Sequence, residues 1–173
     1  PGPPEILNSE PSEGEVGPNQ VVVAMGRLRN QLKAEAVANG KVDYSRVREG
    51  PLREKLEQAA GQLHHLDPNE LASGARLAFW INLYNVLSIH GVLAMGIRRS
   101  VMEVPSFFSK VAYRVGAHTF TLDEIETGVL RLNAPHPVTG KPLFATDDPR
   151  CQLSPTTLDP RLHTALVCTA KSC

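Results

Sequence analysis

Chemistry in this chain would start at Cys168, which is followed by the small polar turn Thr169-Ala170-Lys171-Ser172. A thiol beside a cation in such a turn ionises more readily than a buried one. A working thiol also needs a base and a carboxylate to orient it. Glu126 is the candidate carboxylate, because Glu124 is absorbed by a capping box with Thr121, three residues earlier. For the base, His163 stands five residues before Cys168. On a regular strand it would project to the opposite face and reach the sulfur only across a bend. His118 and His90 remain open as bases. The plain alternative is that Cys168 is a small buried apolar side chain.

The same residues offer zinc as a second chemistry, with Cys168, Cys173 and Cys151 joined by His163 or His136. Four residues separate Cys168 from Cys173, a loose spacing for ligands, and no second Cys-x-x-Cys pair exists. The chain holds no G-x-G-x-x-G, P-loop or H-E-x-x-H pattern. We therefore expect no metal and no other cofactor. His64 and His65 close a predicted helix, where imidazolium would suit the helix dipole and solvent better than a ligand role.

The element that must position these groups is Leu77 to Met95, the densest apolar run in the chain. A helix apolar on all sides is central to its domain. Asn82, Asn85, Ser88 and His90 interrupt the run, so it reads as a core helix and not a membrane span. Asn82 and Asn85 are three apart, on one face, and act either as cross-links to backbone or as the polar wall of a site.

Around this helix the pattern predicts further elements. Residues 1–19 are rich in Pro, Gly and Glu and read as a disordered linker, with one domain over 20–173. Val21, Met25, Leu28, Leu32 and Ala36 make one helical stripe, and Leu52, Leu56, Ala59 and Leu63 make another. Phe107 and Phe108 cover an end of the core. Lys110 to Thr121 alternates around Val115-Gly116-Ala117-His118 and predicts a β-hairpin. Leu122, Ile125, Val129 and Leu132 give the buried stripe of the following helix. Asn133 to Pro160 is a long proline-rich loop, functional or mobile. Leu162 to Cys168 is β-tolerant and reads as a late strand. The resulting class is α+β: an N-terminal helical layer and a central buried helix packed on a small, mainly antiparallel sheet.

The chain has 173 residues, 42% hydrophobic, with 18 basic and 18 acidic side chains. Balanced charge supplies no field for nucleic acid or an anionic membrane, and neither partner is expected. Three late cysteines are not a secreted disulfide framework, so we expect a reduced, cytoplasmic setting. The chain runs from Pro1 to Cys173 and reads as a fragment of a larger protein, with flanking domains or protein partners.

Ala78-Phe79-Trp80-Ile81-Asn82-Leu83-Tyr84-Asn85, then Leu122-Asp123-Glu124-Ile125-Glu126 with Gly128-Val129-Leu130-Arg131, and Asp159-Pro160-Arg161-Leu162-His163 through Cys168 to Cys173 together resemble the domain-of-unknown-function family 547. The stretch Asn133 to Arg150, with its Pro-His-Pro and Asp-Pro-Arg, looks like the animal-type branch of that family. The resemblance covers roughly Glu70 to the C-terminus, where the family pattern continues beyond this chain. It implies a papain-like or transglutaminase-like fold with a Glu-His-Cys site, in which Glu126 and Cys168 match two positions. The family commonly has histidine directly after Ile-Glu, where this chain has Thr127, and threonine cannot accept a proton at neutral pH. The function expected is a thiol-dependent amide or peptide hydrolase or transferase, weakened or lost unless His163 substitutes. The alternative is a non-catalytic interaction module; neither names a substrate.

Overall fold

The structure is a computed structural model that describes residues 2–14, 16–38, 41–42 and 44–166. The chain enters through strand β1 (Glu5–Ile6) and then helix α1 (Pro18–Ala36), whose first residue is a proline with no hydrogen-bond donor to lose. The stripe Val21, Met25, Leu28, Leu32 and Ala36 is buried as the spacing requires. Strands β2 (Val37–Ala38) and β3 (Lys41–Val42) form a small antiparallel pair. Helices α2 (Ser45–Glu49) and α3 (Leu52–Gln62) complete the helical layer, and α3 buries Leu52, Leu56, Ala60 and Gly61.

Helix α4 (Ser73–Ala94) runs through the middle of the domain. Phe79, Trp80, Tyr84 and Leu87 are all at most 1% exposed, as a helix apolar on every side demands. Gly96, at φ +64°, ends it: the Ile97 N–H donates to Val92 O at 3.1 Å, the wrap that closes helices in left-handed glycine. By length and composition α4 could cross a membrane, but its side chains are spent on this core.

A short helix α5 (Phe107–Lys110) leads into the predicted hairpin, β4 (Val111–Val115) and β5 (His118–Thr121), paired antiparallel from Ala112↔Thr121 to Val115↔His118. Its turn needs glycine twice over. Gly116 has φ +55°, and a Cβ there would stand 2.6 Å from Leu66 O.

The third strand differs from expectation. Helix α6 (Leu162–Ala165) occupies the start of the predicted strand Leu162 to Cys168, and residues 167–168 lie outside the described residues. The cause is local: Asp159 Oδ1 accepts from Arg161 N–H at 2.9 Å, and this turn launches bonds from Thr164 N and Ala165 N to Arg161 O. One hydrogen-bonded turn overrides β-propensity, which depends on context. The sheet instead takes β1, in the order β1-β4-β5, with β1 parallel to β4. Residues 2–14, read as linker from composition, are thereby fastened to the domain, and buried Asn8 is the fastening. The architecture is α+β: a helical layer and central helix on a small mixed sheet.

Candidate functional site

Glu126 takes its position from an irregular helix. The capping box at its start forms, with Thr121 N donating to Glu124 Oε2 at 2.9 Å and Glu124 N to Thr121 Oγ1 at 3.2 Å. From Glu124 to Leu130 the chain then winds as a π-helix, a form concentrated at functional sites. The Arg131 N–H bonds Glu126 O at 2.9 Å, across five residues. In an α-helix those residues would be about 140° apart in azimuth. The wider turn returns Arg131 to the face of Glu126, and its guanidinium donates to Glu126 Oε1 from Nε at 3.1 Å and Nη2 at 2.9 Å. The same winding corrects the predicted stripe: Leu130 is buried with Ile125 and Val129, and Leu132 is 41% exposed.

From α4, Tyr84 comes near enough to the Glu126 carboxylate for its charge to act on the phenol. Burial raises its pKa first, and the negative charge of Glu126 raises it further. The phenol therefore stays protonated and able to donate. The Glu126 side chain is 29% exposed and paired with the Arg131 guanidinium.

Two more acids on this turn find bases in the segment that follows. Arg150 Nη1 lies 2.8 Å from Glu124 Oε1, while its Nη2 holds Asp148 at 2.8 Å and its plane sits 4.2 Å over the Phe144 ring. His136 Nε2 lies 3.8 Å from Asp123 Oδ1. Because His136 Nδ1 accepts from Val138 N–H, the neutral ring carries its proton on Nε2, toward Asp123. Burial raises the Asp123 pKa, opposed by His136 and reinforced by Glu126. Gly128 completes the fit, since any Cβ there would collide with the Phe144 ring. The proline-rich loop is thus bolted across the π-helix by His136, Phe144 and Arg150.

The predicted site residues are distributed as follows. Glu126 lies in this cluster, and no imidazole of a described residue bonds it. His163 is exposed on α6. Cys168 and Cys173 lie outside the described residues. Thr127 is only 5% exposed. Asn85, 2% exposed, donates from Nδ2 to Ala165 O at 3.0 Å, tying α4 to α6. Asn82 faces α1 instead, its amide 3.3 Å from where a Cβ on Gly26 would stand.

His90 is occupied in the core: its Nδ1 meets the Tyr113 hydroxyl at 2.7 Å, and burial pushes its pKa down to about 4. His118 lies edge-on to Phe120. Among the described residues no three His, Cys, Asp or Glu side chains gather as metal ligands. His136, a zinc candidate by sequence, is paired with Asp123. Arg131 and Tyr84 were not legible as site residues: five residues is no helical spacing, and Tyr84 reads as core.

A cleft of about 370 Å³ opens where Ser73, Gly74 and Leu77 of α4 face Asp159, Pro160 and Arg161. Leu77 precedes Tyr84 by seven residues, about 10 Å along the helix axis. The Asp159–Arg161 ion pair, 2.7 Å between Oδ2 and Nη2, lies on its wall.

A family model for proteins of unknown function, DUF547, matches residues 68–173. The chain belongs to that family. The matched span carries α4, the hairpin, the π-helix, the loop and α6, while α1, α3 and β1 precede it. Comparison with curated proteins gives no match, and neither does comparison with solved structures.

Proposed function

We propose that this DUF547 domain keeps the frame of a thiol hydrolase without a working general base, and acts as a binding module within a larger protein. One observation carries the reading. Glu126 gives its carboxylate to Arg131, and the next residue, where an imidazole would be needed, is a buried threonine. A carboxylate held by two bonds from one guanidinium is a structural cross-link more than an orienting acid.

The thiol-hydrolase or transferase reading, with Cys168, Glu126 and His163, draws support from a different contact. Asn85 holds Ala165 O on the residue next to Tyr84. Cys168 follows Ala165 by three residues, a chain reach of roughly 10 Å.

Alkylation of the full chain with iodoacetamide between about pH 6 and pH 9, read by peptide mapping, separates the two. The binding-module reading expects Cys168 to titrate as an ordinary thiol, with a midpoint near ~8.5, unchanged in Glu126→Gln and His163→Ala. Selective labelling of Cys168 at neutral pH ahead of Cys151, lost in His163→Ala, would overturn it.

A further inference from the structure

The N-terminal arm has two firm anchors and a loop between them. Asn8 is buried, and its amide holds Arg114 N–H at 2.8 Å, Arg114 O at 2.9 Å and Ala60 O at 2.8 Å, while Leu7 just before it packs on the core. Val16, partly buried against the same core, anchors the far end. Between them Ser9, Glu10, Pro11, Glu13 and Gly14 are exposed.

Among the described residues of this loop, Ser12 is the one that bonds the body of the domain. Its Oγ donates to Gln58 O at 2.6 Å, and His65 Nε2 approaches its carbonyl at 3.4 Å. The seat is close-fitting, because a Cβ on Gly61 would collide with Ser12 Oγ and stand 2.7 Å from Ser12 N. A half-buried hydroxyl thus pins the loop to the C-terminal end of α3. A neutral hydrogen bond between partners so near water contributes little, so the loop opens far more often than the domain unfolds.

The same serine stands in an acidic run. Glu10 lies two residues before it, Glu13 one after and Glu15 three after, and residues 1–20 hold no Lys, Arg or His. Carboxylates set around a serine suit a kinase whose substrate groove is lined with basic side chains. Gly14, at φ +85°, lets the opened loop extend into such a groove.

We propose that Ser12 is a phosphorylation site for a serine kinase that selects acidic flanks, and that the phosphate holds residues 9–14 off α3 while Asn8 keeps the arm attached. In the opened loop Ser12 Oγ attacks the γ-phosphorus of MgATP. The new O–P bond forms as the bond from phosphorus to the β–γ bridging oxygen breaks, ADP leaves, and the hydroxyl proton passes to the carboxylate base of the kinase. The product cannot return to its seat. An ester oxygen has no proton to give Gln58 O, Gly61 leaves no room beside it for a phosphoryl group, and the new negative charge meets the carbonyl end of the α3 dipole. Because the phosphate destabilises the closed form alone, it turns a brief opening into a lasting one. The inference concerns residues 9–15, ahead of the family-matched span 68–173, and stands whatever Cys168 does.

The test incubates the full chain with MgATP and a serine kinase selective for acidic flanks, and locates phosphate by peptide mapping. Phosphate is expected on Ser12, absent there in Ser12→Ala, and about tenfold slower to appear when Glu13→Gln and Glu15→Gln are combined. Cleavage after Glu13 by a Glu-specific protease then reports the loop, taken relative to a free peptide of residues 6–17 carrying the same phosphate or substitution. Phosphorylation is expected to raise it about tenfold or more. Unphosphorylated Gly61→Ala, in which a methyl fills the seat, should raise it too, and Ser12→Ala, which loses the bond but brings no charge, should raise it less. The inference is overturned if Ser12 accepts phosphate only in the urea-unfolded chain, if the two glutamine substitutions leave its phosphorylation as fast, or if the phosphorylated loop is cleaved no faster than the unmodified one.

Discussion

Arg131 meets Glu126 across five residues, with Nε at 3.1 Å and Nη2 at 2.9 Å from one carboxylate oxygen, and only the π-turn between them makes the meeting possible. Tyr84 of α4 lies near enough to feel the carboxylate's charge. Arg131→Ala takes both of these bonds from a carboxylate that is only 29% exposed, and a loss of roughly 1–3 kcal/mol in urea unfolding is expected. Tyr84→Phe should cost less, and the double variant should depart from the sum, because both groups act on the same carboxylate. Strict additivity would mean that the three side chains are not one network.

How far this was legible differs by element. The stripes of α1 and α4 and the hairpin at Gly116 follow from spacing and turn chemistry, which are local. Capping by Thr121 and Glu124 was local too. The π-turn was not, because Leu132 fits an α-helical stripe and Leu130 does not, and the Phe144 ring that packs on Gly128 comes from a segment sixteen residues on. The arm was missed because composition counts apolar side chains, and Asn8 holds by hydrogen bonds whose partners lie 52 and 106 residues away. Asn85 was legible as a polar group needing a partner, but not that the partner would be Ala165.

Gly128→Ala tests the packing of the loop on the π-helix. The added methyl meets the Phe144 ring with no space, and Phe144 in turn carries the Arg150 guanidinium 4.2 Å above its ring centre. Overpacking of this kind costs roughly 1–3 kcal/mol. The expected result is a lower melting temperature together with faster protease cleavage between Asn133 and Pro149. A lower melting temperature with unchanged cleavage would show that the loop does not depend on Phe144.

Two consecutive non-glycine residues, Leu132 at φ 56° and Asn133 at φ 55°, turn the chain out of the π-helix. Asn133 is suited to this conformation and is held there: its Oδ1 accepts from Leu143 and Phe144 N–H at 3.1 and 3.0 Å, and its Nδ2 donates to Phe144 O at 2.9 Å. Leu132 has no such compensation and is substantially exposed. Leu132→Gly is expected to stabilise by about 1 kcal/mol through relief of the left-handed strain, and Asn133→Ala to destabilise by more than that. Chemical denaturation of both variants checks the signs.

His90 makes stability depend on pH. Burial pushes its pKa down to about 4, with Glu57 opposing and Arg53 assisting, against ~6.5 in the unfolded chain. Between those values the unfolded state binds the extra proton, so stability rises with pH there. The contribution is complete above about pH 6.5 and is lost as pH falls toward 4, at most roughly 3 kcal/mol. His90→Gln should remove that part of the slope in urea unfolding at several pH values. An unchanged slope would assign it to carboxylates instead.

Thr127→His returns an imidazole to the position after Ile-Glu. Thr127 is 5% exposed, so the larger ring must either displace neighbours or turn toward the surface beside Glu126. Overpacking alone would lower stability by roughly 1–3 kcal/mol and leave the thiols as they were. If Glu126 can also orient an imidazole set beside it, the variant should shift the alkylation midpoint of Cys168 to lower pH while Cys151 keeps its own, because an imidazole within hydrogen-bond reach favours the thiolate. Adding Glu126→Gln to Thr127→His should then move the midpoint part of the way back, since the carboxylate would no longer orient the ring. A Cys168 profile identical in wild type and Thr127→His would show that residue 127 does not address the thiol, and the Glu-His-Cys assignment for this chain would be withdrawn.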